Sequence, residues 1–128
     1  LQGDLILLGV EEKPAALLPL ESVVDFAKHR AALIVIPHPY RVSGIGDSAQ
    51  NIAADAVEII NPWASPEQNK LAEELAKARD LPGVAGSDAH EPESLWTAFT
   101  EVEAEPDVSA VLKATRNGRV KAVSARHI

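Results

Sequence analysis

The 128-residue sequence has no cysteine and no methionine. Without cysteine there is neither a disulfide framework nor a thiolate zinc site, so any metal must be held by His, Asp, Glu, carbonyl groups or water, a donor set that suits zinc, manganese or iron. Long apolar runs are also missing: none reaches the ~18 residues that a membrane span requires. The opening stretch "LQGDLILLGVEEKP" is acidic and carries no basic leader, so no secretory signal or spanning helix is expected and the expected location is the cytoplasm. Positive charge is scarce as well. Twelve Lys and Arg against nineteen Asp and Glu leave a formal charge of −7, which argues against a general electrostatic grip on nucleic acid, whose non-specific binding rests on neutralised phosphates. An acidic protein can still process a phosphorylated substrate if metal ions supply positive charge locally.

What is present is enough for one globular domain. With 46% hydrophobic residues, a chain of this length can bury roughly two-thirds of its unfolded surface, and residues 1–128 are expected to form a single domain. Leu1 leads into an apolar run almost at once, as expected of a piece of a longer protein. The pattern alternates strands and helices. "DLILLGV" (4–10) reads as a buried strand, and "LESVVDFAKHRAA" (20–32) as a helix with Val23, Val24, Phe26 and Ala27 on its apolar face. "LIVIPH" (33–38) reads as a second buried strand, "YRVSGIGDSAQN" (40–51) as a functional loop or short irregular helix, and "AVEII" (56–60) as a third strand. In "NPWASPEQNKLAEELAKARD" (61–80), Ser65 is the expected N-cap and Pro66 the first helical residue, with Leu71, Leu75 and Ala78 at helical spacing. Further strands are expected at 82–87, 98–102 and 119–123, and a helix over 107–118 between Asp107 as cap and Gly118 as stop. Strands that are apolar throughout and separated by helices imply a parallel sheet covered on both faces, hence an α/β fold.

On that frame three successive strand ends deliver polar side chains: His38 after "LIVIP", Asn61 after "VEII", and Asp88 with His90 after "VAGS". In parallel α/β folds the carboxyl edge of the sheet is where chemistry sits. Each residue has a plainer reading. His38, between two prolines, can be packed in a turn; Asp88 can cap a helix over "AHEPESLW"; Arg41 can hold its loop by a salt bridge or fork onto a phosphate. Trp63 and Trp96 can stack on a substrate base, though packing is the commoner role at such junctions. His29 and His127 are expected to be solvated. The convergence of the strand-end residues is what favours a metal or active-site role.

"IPHPYR" (36–41), "AVEIINP" (56–62) and "GSDAH" (86–90), followed by a helix ending "RNGRV" (116–120), resemble the C-terminal half of the polymerase and histidinol phosphatase (PHP) superfamily. The resemblance implies a distorted (β/α)7 barrel, mainly parallel, of which this chain would hold an incomplete part, and a cluster of two or three divalent ions (Zn, Mn or Fe) that hydrolyses phosphate esters through a metal-activated water. It makes His38 and His90 metal ligands and Asp88 a ligand bridging or terminal to the cluster. Asp4, in "GDLILLGV", stands where a histidine ligand often does. Asp88, His90 and Arg41 are the expected catalytic group. The His-x-His strand and ligating glutamate with which the family opens have no counterpart here, and ~250 residues are usual for a barrel of this general kind.

Three readings follow. The chain is the C-terminal part of a metal-dependent phosphoesterase, inactive alone, acting on a phosphorylated small molecule, a nucleotide or an oligonucleotide end and free to self-associate through an exposed barrel edge. Otherwise it is a degenerate PHP-like scaffold or interaction module, or an unrelated α/β domain that binds a small molecule without metal.

Overall fold

The apolar run Leu33–Ile36 becomes the strand on which the rest of the fold is built. In the computed structural model, which describes residues 3–125, it is buried on both faces. The described elements are β1 (Ile6–Leu8), α1 (Leu20–His29), β2 (Leu33–Ile36), β3 (Ala56–Ile60), α2 (Pro66–Ala78), β4 (Gly83–Ala85), β5 (Ala98–Val102), α3 (Val108–Arg116) and β6 (Val120–Ser124), with 3-10 turns at Gly46–Gln50 and Pro92–Ser94.

β1 to β4 form one sheet in sequence order, and β5 pairs with β6 in a second. β2, β3 and β4 run parallel. β1 is antiparallel to β2 and β5 antiparallel to β6, so the first sheet is mainly parallel, as expected, with an antiparallel strand at its edge. β1 is also not the buried strand that its apolar run suggested: Ile6 and Leu8 are 38% and 42% exposed. A strand at a sheet edge covers one face and leaves the other to solvent, whatever its hydrophobicity.

The strand period of two sorts the core. Ile36 and Val57 pack with Ile45, Ala49, Ala72, Leu75 and Ala76 under α2. Leu33, Val35, Ala56 and Val84 face the other way, toward Leu112 of α3 and Val120 of β6, while Ile34 joins Val24 and Ala27 of α1. Leu33, Ile36 and Val57 are fully buried, each worth roughly 1.5–3 kcal/mol of apolar transfer.

The helices begin where their sequences set them. Ser65 Oγ accepts from Gln68 N while Gln68 Oε1 accepts from Ser65 N, a reciprocal capping box ahead of Pro66. Asp107 accepts from Ala110 N at 2.8 Å, and Gly118 takes φ +76° just past α3. The buried face of α2 is Ala72, Leu75 and Ala76 rather than Leu71, Leu75 and Ala78; Leu71 is 48% exposed.

Candidate functional site

The carboxyl ends of the parallel strands supply most of the site. His38 lies two residues beyond β2, Asn61 directly follows β3, and Asp88 comes three residues after β4. Asp4 arrives by the opposite route. Because β1 is antiparallel with Ile6 opposite Val35, continuing that register sets Asp4 opposite Pro37, beside His38. The loop after His38 folds back on itself, with Arg41 N donating to His38 O, Gly44 N to Arg41 O and Gly46 N to Pro39 O. A side chain at Gly44 would collide with the carbonyl oxygens of His38 and Pro39, so glycine is required there.

His38 is the pivot. Its side chain is only 7% exposed, and Nε2 lies 3.5 Å from Asp4 Oδ2 and 3.9 Å from Asp88 Oδ2. Both exceed the roughly 2.7–3.2 Å of an N–H···O bond. Nδ1 is buried without a hydrogen-bond partner among the described residues, an arrangement rare for a polar atom in a protein interior. His38 and Asp88 also hold positive φ, 23° and 51°, outside the comfortable range of residues with a Cβ. Asp88 Oδ2 accepts from Asn61 Nδ2 at 3.2 Å and lies 3.5 Å from an Arg41 guanidinium nitrogen, so Arg41 does form the ion pair of its plainer reading.

His90 is placed differently. It is exposed, its Nδ1 donates to Asp88 O at 2.9 Å and its ring meets Trp63 edge-on at 6.3 Å. A carbonyl oxygen only accepts, so Nδ1 carries the proton and the neutral tautomer keeps its lone pair on Nε2. Trp63 is half exposed and donates its indole N–H to the same Asp88 carbonyl at 3.0 Å. Asp88 caps no helix: the stretch expected to be helical forms only the 3-10 turn Pro92–Ser94, whose N-cap is Glu91. The structure thus brings His38 to Asp4 and Asp88, and Asp88 to Arg41, while His90 contacts the Asp88 backbone. No three His, Asp or Glu side chains among the described residues make a ready cage for an ion.

Sequence reasoning passed over Glu58, the one charged residue in "AVEII". It is 7% exposed, and its Oε1 accepts from His38 N at 3.0 Å and from Asn61 Nδ2 at 2.8 Å. Burial pushes its carboxyl above the usual range, against the pull of the Asn61 and His38 hydrogen bonds. An acid inside an apolar run was the available signal, since Glu is almost never fully buried without partners. Of the other residues, His29 is exposed and bonds Asp25 O, Trp96 is 74% exposed beside Phe99, and His127 lies outside the described residues. A cleft of 1040 Å³ lined by Gly3–Leu5, Lys13–Glu21, Val23, Ile45 and Ser48 borders Asp4.

A buried imidazole with neither ring nitrogen hydrogen-bonded among the described residues, facing two carboxylates just beyond contact, has the donor chemistry of part of a divalent-metal site. The fit is to a portion of such a site, at the carboxyl edge of an α/β sheet.

The comparisons carry this further. No curated protein matches the chain. Residues 66–120 match the family described as PHP-associated, a span that takes in Asp88 and His90 but not Asp4, His38 or Arg41. Among solved structures, the chain is similar to a two-domain protein from Bacteroides vulgatus ATCC 8482 containing a predicted PHP-like metal-dependent phosphoesterase. The likeness is in fold, at 19% identity and a TM-score of 0.65, and covers 84% of this chain and 36% of that one. This chain therefore spans about a third of its neighbour's length. The match over residues 66–120 and the likeness in fold agree with the resemblance to the C-terminal part of the PHP superfamily.

Proposed function

We propose that this chain supplies part of the metal-holding site of a PHP-type metal-dependent phosphoesterase, as the incomplete, C-terminal portion of a distorted barrel. The observation that carries the reading is the His38 imidazole, buried and without a hydrogen bond among the described residues, with Asp4 and Asp88 oxygens at 3.5 and 3.9 Å. His38 Nε2 and the Asp4 and Asp88 carboxylates would hold a divalent ion such as zinc, manganese or iron, with His90 Nε2 a further donor. Such an ion supplies Lewis acidity and lowers the pKa of a bound water. The chain's own residues do the rest. Asp88 is oriented by Asn61, and Arg41 sets a guanidinium beside it whose remaining donors suit a phosphate oxygen. The cleft beside Asp4 leaves room for the body of a phosphomonoester, nucleotide or oligonucleotide end.

Calorimetry with Mn²⁺ and Zn²⁺ tests this. The chain should bind one or two ions, His38→Ala and Asp88→Ala should lose that binding while still melting cooperatively, and hydrolysis of a generic phosphate ester by the chain alone should be negligible. If neither ion binds, the degenerate-scaffold reading takes over. A second part of the proposal concerns association. The outer edge of β1 has no ladder partner among the described residues, and its half-exposed Ile6 and Leu8 favour pairing with another copy; a monomer in size-exclusion chromatography would exclude it. No described helix is long and apolar enough to cross a membrane, and a cytoplasmic setting belongs to the proposal.

A further inference from the structure

We infer that Glu58 is a positioning residue that sets the two halves of the site against each other from below, through a single carboxylate oxygen. The inference rests on the metal-site reading and adds to it a residue outside the donor set. Oε1 receives the His38 backbone N–H at 3.0 Å and the Asn61 side-chain amide at 2.8 Å, and the same Asn61 nitrogen donates to Asp88 Oδ2 at 3.2 Å. One oxygen therefore reaches His38 directly and Asp88 through one intermediary, although the two lie fifty residues apart on different strand ends. Both residues it holds have positive φ, a conformation that persists only where the surroundings over-determine it.

Three further features fit a dedicated part. Asn61 is 1% exposed and is itself fixed by Asn69, which accepts from Asn61 N at 3.1 Å and donates to Asn61 O at 3.1 Å. Glu58 lies where the β3–β4 register shifts, and irregularities of this kind re-aim side chains at sheet ends. At Gly86 a Cβ would sit 3.0 Å from Glu58 Oε2, so the glycine of "GSDAH" leaves space for the carboxylate. A buried acid is a costly way to fill a strand. Its placement is accounted for if it orients neighbours that would otherwise relax.

The test compares Glu58→Gln, which keeps a carbonyl oxygen able to accept both bonds, with Glu58→Ala, which removes it, and with Asn61→Ala, which cuts only the arm to Asp88. Two readouts are taken on cooperatively melting protein: nuclear Overhauser contacts between the His38 ring and Asp88 Hβ, and Zn²⁺ affinity by calorimetry. Glu58→Gln should keep the contacts and bind Zn²⁺ within about threefold of wild type. Glu58→Ala should lose the contacts and bind about 10–100-fold more weakly, the range for partners that orient metal ligands. If Glu58→Ala does not fold, Asn61→Ala decides, with the same losses expected at the Asp88 side. Unchanged contacts in folded Glu58→Ala, or in Asn61→Ala when the former does not fold, overturn the inference. If wild type binds no Zn²⁺, the metal reading fails, and the Overhauser contacts still decide on Glu58.

Discussion

The end of the sheet that carries His38 and Asp88 and the β5–β6 ladder are built to opposite rules. β5 and β6 pair without interruption from Ala98 opposite Ser124 to Val102 opposite Val120, with no positive φ inside either strand. Thr100 ties this ladder to β4, its Oγ1 accepting from Ala85 N at 2.9 Å and donating to Ala85 O at 2.7 Å. The candidate site has a register shift at Glu58 to Ile60, two strained residues, a buried acid and a buried imidazole atom without a partner. Regular pairing stabilises; the site end holds costly geometry, a feature that clusters at functional sites. The difference separates the residues that hold the fold from those proposed to hold its chemistry.

The comparison can be broken most severely from beneath. Ile36→Ala removes a fully buried side chain under the site and should cost about 2–5 kcal/mol in urea unfolding, with ion binding lost as a consequence of unfolding. Gly44→Ala, which forces a methyl against the His38 and Pro39 carbonyls, should cost about 1–3 kcal/mol and shift the His38 ring resonances even where the protein stays folded.

Thr100→Val tests the ladder alone. It leaves the Ala85 N–H without its acceptor and should cost about 1–2 kcal/mol with Zn²⁺ affinity unchanged; a change in affinity would show that the two regions are coupled. Asp88→Gly sharpens the contrast from the other side. Glycine relieves the φ of 51°, worth about 1–2 kcal/mol, against the lost Asn61 and Arg41 contacts. Thermal melting should move little, within about 1 kcal/mol, while ion binding disappears. A large loss of stability there would make Asp88 a structural residue.

Much of this was legible because it is local. Capping at Ser65 and Asp107, the stop at Gly118 and the strand at Ala56–Ile60 depend on neighbours within a few residues, and backbone chemistry at that range is written in the residues themselves. The order of strands and helices, and the arrival of His38, Asn61 and Asp88 at strand ends, follow from the same pattern.

Tertiary structure alone decided the rest, since it depends on which surfaces meet. An apolar run does not state whether it will be central or at an edge, so β1 read as buried and proved half exposed. Antiparallel pairing of β1 brings Asp4 to His38, and no local signal specifies pairing direction. Alternation along β3 points Glu58 to the face of Ala56, but only the fold supplies the His38 amide and Asn61 that make a buried acid tolerable. His90, two residues from Asp88 in sequence, turns to a carbonyl and an indole, because a side chain's direction follows the partners within reach rather than its spacing along the chain.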